Sequence, residues 1–210
     1  MASTLVGRWA LDGDSADATA YGRDLAPATG TVDWTEGRDG DSNTAAGVAT
    51  GPAWLATAGP VVRTDQNYTV SAWVRSSDTN YYQTLLCQFG SSRCSFYLQY
   101  SLPHDRWGVV LPSNDGATVS QYYAATSATP PAHDEWVHLT AVVNASSGVL
   151  RFYVNGVQEG YVYGWPGAWH ANGPLRVGFM DAGAVAGALD DVRVYAGVLS
   201  PDQITRICGC

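Results

Sequence analysis

Gly187-Ala188-Leu189-Asp190-Asp191-Val192-Arg193-Val194-Tyr195 runs straight into Leu199-Ser200-Pro201-Asp202-Gln203-Ile204. The first piece reads as a strand and the second as a capped helical turn. Ser200 can accept from the first turn, Pro201 suits the first helical position, and Gln203 completes a capping box three residues after the serine. Neighbouring residues on a strand point to opposite faces, so one of the two adjacent carboxylates is expected to face inward. A carboxylate buried without partners costs several kcal/mol. The strand therefore calls for a cation, an arginine or a set of backbone amides beside Asp190, and a structural calcium ion is the expectation.

Working outward, alternation with a period of two recurs along the chain, as in Tyr68-Thr69-Val70-Ser71-Ala72-Trp73-Val74-Arg75 and Trp136-Val137-His138-Leu139-Thr140-Ala141-Val142-Val143. Such runs bounded by polar turn residues are strands. Asn155-Gly156 between Leu150-Arg151-Phe152-Tyr153-Val154 and Val157-Gln158 marks a hairpin, because Asn-Gly accepts the positive φ angles of a type I′ turn. Further strands are expected over Leu5 to Leu11, Phe96 to Tyr100, Trp107 to Leu111 and Leu175 to Phe179. Many strands with almost no helix predict an all-β fold, a two-sheet antiparallel β-sandwich of jelly-roll type with one short C-terminal helical turn. No linker or repeat divides residues 1–210, so one domain is expected.

Hydrophobic residues make up 46% of the chain and charged ones 14%, enough apolar material for a core. All 11 basic residues are arginine, against 19 acidic ones, for a net charge of −8. That balance, without a basic cluster, argues against nucleic acid and makes an anionic polymer an unexpected ligand. No apolar stretch approaches the ~20 residues of a membrane helix, so no membrane insertion is expected. The start of the chain lacks the regions of a signal peptide, and a longer native chain upstream is expected. Cys87 closes Thr84-Leu85-Leu86 and Cys94 opens Ser95-Phe96-Tyr97-Leu98, with Gly90-Ser91-Ser92-Arg93 as the turn between them. A disulfide across that hairpin, and with it an oxidising compartment, fits better than zinc, which favours two-residue spacings and His partners. Cys208 and Cys210 leave three readings open: a local loop, a link to a neighbouring module, or free thiols.

The order of landmarks resembles the laminin-G-like, concanavalin-A-like jelly-roll family, in particular modules of actinobacterial secreted proteins. They are Gly7-Arg8-Trp9-Ala10-Leu11-Asp12-Gly13, Asp17 to Gly22, Val32-Asp33-Trp34-Thr35-Glu36-Gly37-Arg38, Arg63 to Val74, Trp136 to Leu139, Leu150 to Gly156 and Leu189 to Tyr195. The resemblance implies a sandwich that often holds calcium near the junction of its first and last strands and that serves in binding or adhesion. It depends on pairing of those two strands, which would bring Asp12, Asp14 and Asp17 to Asp190. Ala18 to Gly22 depart from the family's usual small-residue pattern there. The alternative is that the three N-terminal aspartates are solvated turn residues, favoured by their own side-chain hydrogen bonds.

Aromatic residues give the second signal: 12 Tyr and 8 Trp against 4 Phe. A Tyr or Trp offers an apolar body with a polar handle, which suits the flat C–H face and hydroxyls of a sugar. Trp9, Trp73, Trp107 and Trp136 sit in strand patterns and Trp34 in a family landmark, and all five read as packing residues. Aromatics outside such slots are the ligand-contact candidates: Tyr81 and Tyr82 beside Asn80, Tyr122 with Tyr123, and Tyr161, Tyr163, Trp165 and Trp169. Asp181 joins them as a polar neighbour. The segment from Gly160 to His170 reads either as a binding platform or as an aromatic lid over a sandwich edge.

Glycoside hydrolysis normally needs two closely spaced carboxyl groups. Glu36, Glu135 and Glu159 are isolated, nothing matches the Glu-x-Asp-x-x-Glu strand of sandwich glucanases, and no Gly-x-Ser-x-Gly elbow occurs. The expectation is a non-catalytic, secreted, calcium-stabilised module binding a glycan or cell-surface polysaccharide through loop aromatics. The alternatives are a protein-interaction or spacer module working with other modules of the same secreted protein, and an accessory domain of a glycosidase.

Overall fold

A computed structural model describes residues 2–48, 53–167, 169–178 and 187–210. In chain order its strands are β1 (Thr4–Trp9), β2 (Ala26–Thr29), β3 (Asp33–Thr35), β4 (Ala45–Val48), β5 (Trp54–Ala56), β6 (Tyr68–Ser76), β7 (Gln83–Phe89) and β8 (Cys94–Ser101). They continue with β9 (Arg106–Pro112), β10 (Tyr122–Thr126), β11 (Trp136–Asn144), β12 (Val149–Val154), β13 (Val157–Val162), β14 (Leu175–Val177) and β15 (Gly187–Ala196), before helix α1 (Pro201–Cys208). One sheet runs β13-β12-β11-β6-β15-β4-β3, with β1 also paired to β15, and the other runs β10-β9-β8-β7-β14-β5-β2. The two pack face to face as an antiparallel sandwich.

Alternation sorts each strand. Val70, Ala72 and Val74 of β6 and Leu139, Ala141 and Val143 of β11 meet Phe96 and Leu98 of β8 and Val109 and Leu111 of β9 in one core. On the outer face of the first sheet α1 lays Ile204 against Val142, Tyr153, Tyr195 and Leu199. The helix starts as its sequence prescribes: Gln203 N donates to Ser200 Oγ (3.3 Å) and Ser200 N donates to Gln203 Oε1 (2.9 Å). The Asn155-Gly156 turn has φ of 47° and 78°, which places Val154 opposite Val157.

The chain's first and last long strands do pair, with Thr4 opposite Ala196 and Trp9 opposite Val192. Strict alternation nevertheless fails at the two aspartates. Asp190 pairs with Trp73 and Arg193 with Ser71, so β15 carries one residue more than β6 over this interval. Asp191 takes up the extra residue with φ of 43°. Such a bulge re-aims side chains. Leu189, Val192 and Val194 all enter the core, and Asp190 turns to the outer face with its partner Trp73. The inward-facing carboxylate expected from a period of two is thereby corrected.

Cys87 and Cys94 are joined across the β7–β8 hairpin, and Cys208 is joined to Cys210. Cross-linking residues 7 apart removes loop entropy from the unfolded chain worth about 2–3 kcal/mol. The Cys87→Ala/Cys94→Ala double variant is expected to lose about that much stability, read as a lower urea midpoint with an unchanged far-ultraviolet spectrum.

Candidate functional site

The outer face of the second sheet carries a groove of about 520 Å³. It is lined by Tyr82, Thr84, Arg93, Tyr97, Gln99, Ser101, His104, Val110, Tyr122 and Ala124. Its floor follows from register. Phe96, Leu98 and Tyr100 of β8 point into the core, so Tyr97 and Gln99 point away from it. Tyr97 lies opposite Val110, which lies opposite Ala124, and this row crosses three strands. Beside it Gln99 sits between Thr84 and Gly108, and the glycine adds no side chain to the row. Tyr82 (46% exposed) and Tyr122 (50% exposed) stand at the rim.

Hydrogen bonds fix the polar rim. Arg93 donates from Nε to Gly116 O (2.7 Å), from Nη2 to Ala117 O (2.8 Å) and from Nη1 to Tyr122 Oη (3.1 Å). The turn that carries Arg93 is held by Asp115, which accepts from the backbone N–H groups of Ser91, Ser92 and Arg93. Burial alone would raise the Asp115 carboxyl, but these amides hold it below the usual carboxylate range. At the other end Ser101 Oγ and His104 Nδ1 share a hydrogen bond of 2.8 Å. Three tyrosine rings over an apolar floor, with a guanidinium, an amide and an imidazole at the edges, can stack on a flat apolar face and hydrogen-bond hydroxyls around it.

Of the residues singled out from sequence, Tyr82 and Tyr122 meet in this groove. Asn80 and Tyr81 belong to the loop that delivers Tyr82, where Asn80 N donates to Asp78 Oδ1 (2.8 Å). Tyr123 alternates inward and packs against the core. Tyr161 and Tyr163 are exposed and contact each other edge to face at 5.0 Å, outside the groove lining. Trp165 is corrected from ligand contact to core residue: it is 3% exposed and packs in the main cluster. Trp169 is half-buried, and its Nε1 donates to Pro112 O at 3.1 Å, which pins the segment to the end of β9. Asp181 lies outside the described residues. Tyr97, Gln99 and Arg93 were missed: the first two look like ordinary strand residues, and only knowledge of the outward face would have picked them out.

A second cluster forms where β15 changes partners, pairing with β4 before the bulge and with β1 after it. A cavity of about 330 Å³ opens there, lined by Arg8, Ala10, Asp12, Arg38, Asp39, Asp41, Thr44, Asp190 and Asp191. Asp191 is ion-paired with Arg8 (3.1 Å) and Arg193 (2.5 Å). Asp190 has only a loose pair with Arg38 at 3.6 Å. Burial pushes its carboxyl up to about 6, with Asp12 adding to the rise and Arg38 opposing it. Of the four expected calcium ligands, Asp12 and Asp190 line this cavity, with Asp39 and Asp41 beside them, and Asp14 and Asp17 do not. Asp14 is exposed and accepts from Ala16 N. Asp17 accepts from Arg8 N, Thr19 N, Arg23 N and Thr19 Oγ1, which commits both oxygens. Among the described residues no three Asp, Glu, His or Cys side chains converge closely enough to hold a metal ion. Carboxylates are the donor type a hard cation takes, but the described residues do not assemble them into a metal site, and Arg8 and Arg38 share the cavity.

A laminin G family model, described as the concanavalin A-like lectin/glucanases superfamily, matches residues 49–205. No curated protein matches the chain in sequence. Among solved structures, domain 4 of AbnA, a GH43 extracellular arabinanase from Geobacillus stearothermophilus in complex with arabinotriose, aligns with a TM-score of 0.74 at 22% identity over 99% of this chain and 100% of that one. The binding domain of botulinum neurotoxin DC in complex with SialylT aligns with a TM-score of 0.74 at 10% identity. The botulinum neurotoxin serotype D binding domain gives 0.71 at 13%. Each of these two alignments covers 98% of this chain, which spans about half (51%) of the neurotoxin domain.

Proposed function

We propose, for a chain that belongs to the concanavalin A-like lectin/glucanases superfamily, that it is a non-catalytic module binding a glycan in the groove of Tyr82, Tyr97 and Tyr122. The observation that carries this reading is the rim-and-floor arrangement: two exposed rings and a third on the strand face, with Gln99, Arg93 and His104 within the same lining. Among the described residues no Asp or Glu lines the groove, which supports binding over hydrolysis, since glycosidases normally place two carboxyl groups at the scissile bond. Arabinotriose on the arabinanase domain supports the carbohydrate class without naming the sugar for this chain. The same neighbour keeps open a place for the module as an accessory domain within a longer carbohydrate-active protein.

Secretion is part of the reading, supported by the Cys87–Cys94 cross-link and the oxidising compartment that such bonds need. Among the described residues no helix is long and apolar enough to cross a membrane. A structural calcium ion is the second part. Asp12 and Asp190 would hold it, and it would supply positive charge to a carboxyl whose ionised form burial disfavours. A module-to-module contact is favoured at one other place, where Val157, Tyr161 and Tyr163 are exposed on and just beyond strand β13 at the edge of its sheet. That surface would serve a spacer or adhesion role alongside the groove.

The test is a glycan array followed by calorimetry on the best oligosaccharide. Tyr82→Ala/Tyr122→Ala is expected to weaken binding at least about thirtyfold, the scale of two lost stacking rings. Both rings are half-exposed, so the melting temperature is expected to stay within a few degrees. Full binding by the double variant would remove the groove from the account.

A further inference from the structure

We infer that the groove selects an acidic glycan, one whose sugars carry carboxylates, with Arg93 as the counter-charge; this rests on the reading of the groove as the glycan site. The protein carries a net charge of −8, yet among the described residues the groove lining contains no carboxylate and does contain Arg93 and His104. The groove thus carries the charge of one guanidinium on a molecule of net negative charge.

Arg93 differs from five other arginines of the chain. Arg8, Arg38, Arg63, Arg75 and Arg193 each lie within 4 Å of a carboxylate. The three acceptors of Arg93 are two backbone carbonyls and a phenol. They fix the guanidinium plane without cancelling its charge, and they leave N–H groups on both Nη atoms uncommitted. Asp115, the carboxylate that the Arg93 turn contacts, is engaged by three backbone amides. A guanidinium held rigid beside a stacking ring loses little freedom when it meets a planar carboxylate, and that match is the strongest one available to it. A neutral sugar would leave this charge without a counter-ion in the groove.

The experiment uses the full chain and matched ligand pairs. Uronate oligosaccharides of several backbones are titrated against the same oligosaccharides after their carboxyl groups have been reduced to neutral hydroxymethyl groups. The acidic member of at least one pair is expected to bind about tenfold or more tightly at low salt. That advantage is expected to collapse at about 0.5 M sodium chloride through screening. Arg93→Gln is expected to abolish the difference between pair members. Because that substitution also frees Tyr122, the ligand pairs on the unaltered protein carry the test. Neutral members bound as tightly as acidic ones would overturn the acidic preference and leave the glycan reading standing. A panel in which neither series binds would overturn both.

Discussion

Replacing Asp190 by Asn is expected to make the protein more stable at pH 7, by up to about 3 kcal/mol, although it removes one partner of an ion pair. The reason is the sign of the shift. Burial holds the Asp190 carboxyl near 6 in the folded chain against an ordinary 3.8, so the fold favours the protonated acid. Its stabilising effect is complete below about pH 4 and is lost as pH rises through 6. The neutral amide avoids that loss. His138, 1% exposed, works in the opposite direction: burial, then Arg193, lowers it from 6.5 to about 4. The fold favours neutral imidazole, so stability is full above pH 6.5 and falls as pH drops toward 4. Between pH 4 and 6 the two slopes nearly cancel, and the parent protein is expected to show a flat profile. Asp190→Asn should expose the histidine slope, a loss of about 1.4 kcal/mol per unit of falling pH. His138→Gln should show the mirror image, with stability falling as pH rises. Urea titrations at four pH values measure all three. Calcium adds a fourth arm: it is expected to raise the melting temperature of the parent and to leave Asp190→Asn unmoved.

The second large effect has the opposite sign at another aspartate. Asp17 accepts from Arg8 N at 3.1 Å and from Thr19 N, Arg23 N and Thr19 Oγ1 at 2.9 Å. It thereby stitches β1 to the loop that covers Trp9, whose Nε1 donates to Arg23 O (2.9 Å). Burial opposes ionisation, but the amides of Arg23, Thr19 and Arg8 win and hold the carboxyl below its ordinary value. Asp17→Ala leaves three backbone N–H groups without acceptors, for a loss of about 3–5 kcal/mol. The stabilisation from ionised Asp17 is present above about pH 4 and disappears below it, so the variant's deficit should shrink in acid. A melting temperature within two or three degrees of the parent would show that water replaces the carboxylate there.

Local chemistry made much of the fold legible in advance. The alternation at 68–75 and 136–143, the Asn155-Gly156 turn, the Ser200 capping box and the Cys87–Cys94 hairpin each rest on neighbours a few residues apart. What escaped depends on geometry that a period of two cannot encode. The bulge at Asp191 adds one residue and carries both aspartates to the outer face. Trp165 sits in a Gly- and Pro-rich connection, yet turns into the core, with its backbone N–H donating to Gly148 O. The groove was half visible: exposed Tyr82 and Tyr122 stood out as aromatics without a strand slot. Tyr97 and Gln99 did not, since within the strand pattern of Phe96 to Tyr100 they read as ordinary strand residues. Arg93 looked like a turn residue, and its role depends on Gly116, Ala117 and Tyr122 from distant parts of the chain.

Glycan binding on the outer face of the second sheet can be read residue by residue in NMR spectra recorded during titration with an oligosaccharide. The largest shifts are expected on Tyr82, Tyr97, Gln99, Arg93 and Tyr122, with Tyr161 and Tyr163 nearly unmoved. Shifts concentrated on Tyr161 and Tyr163, with a silent groove, would contradict it.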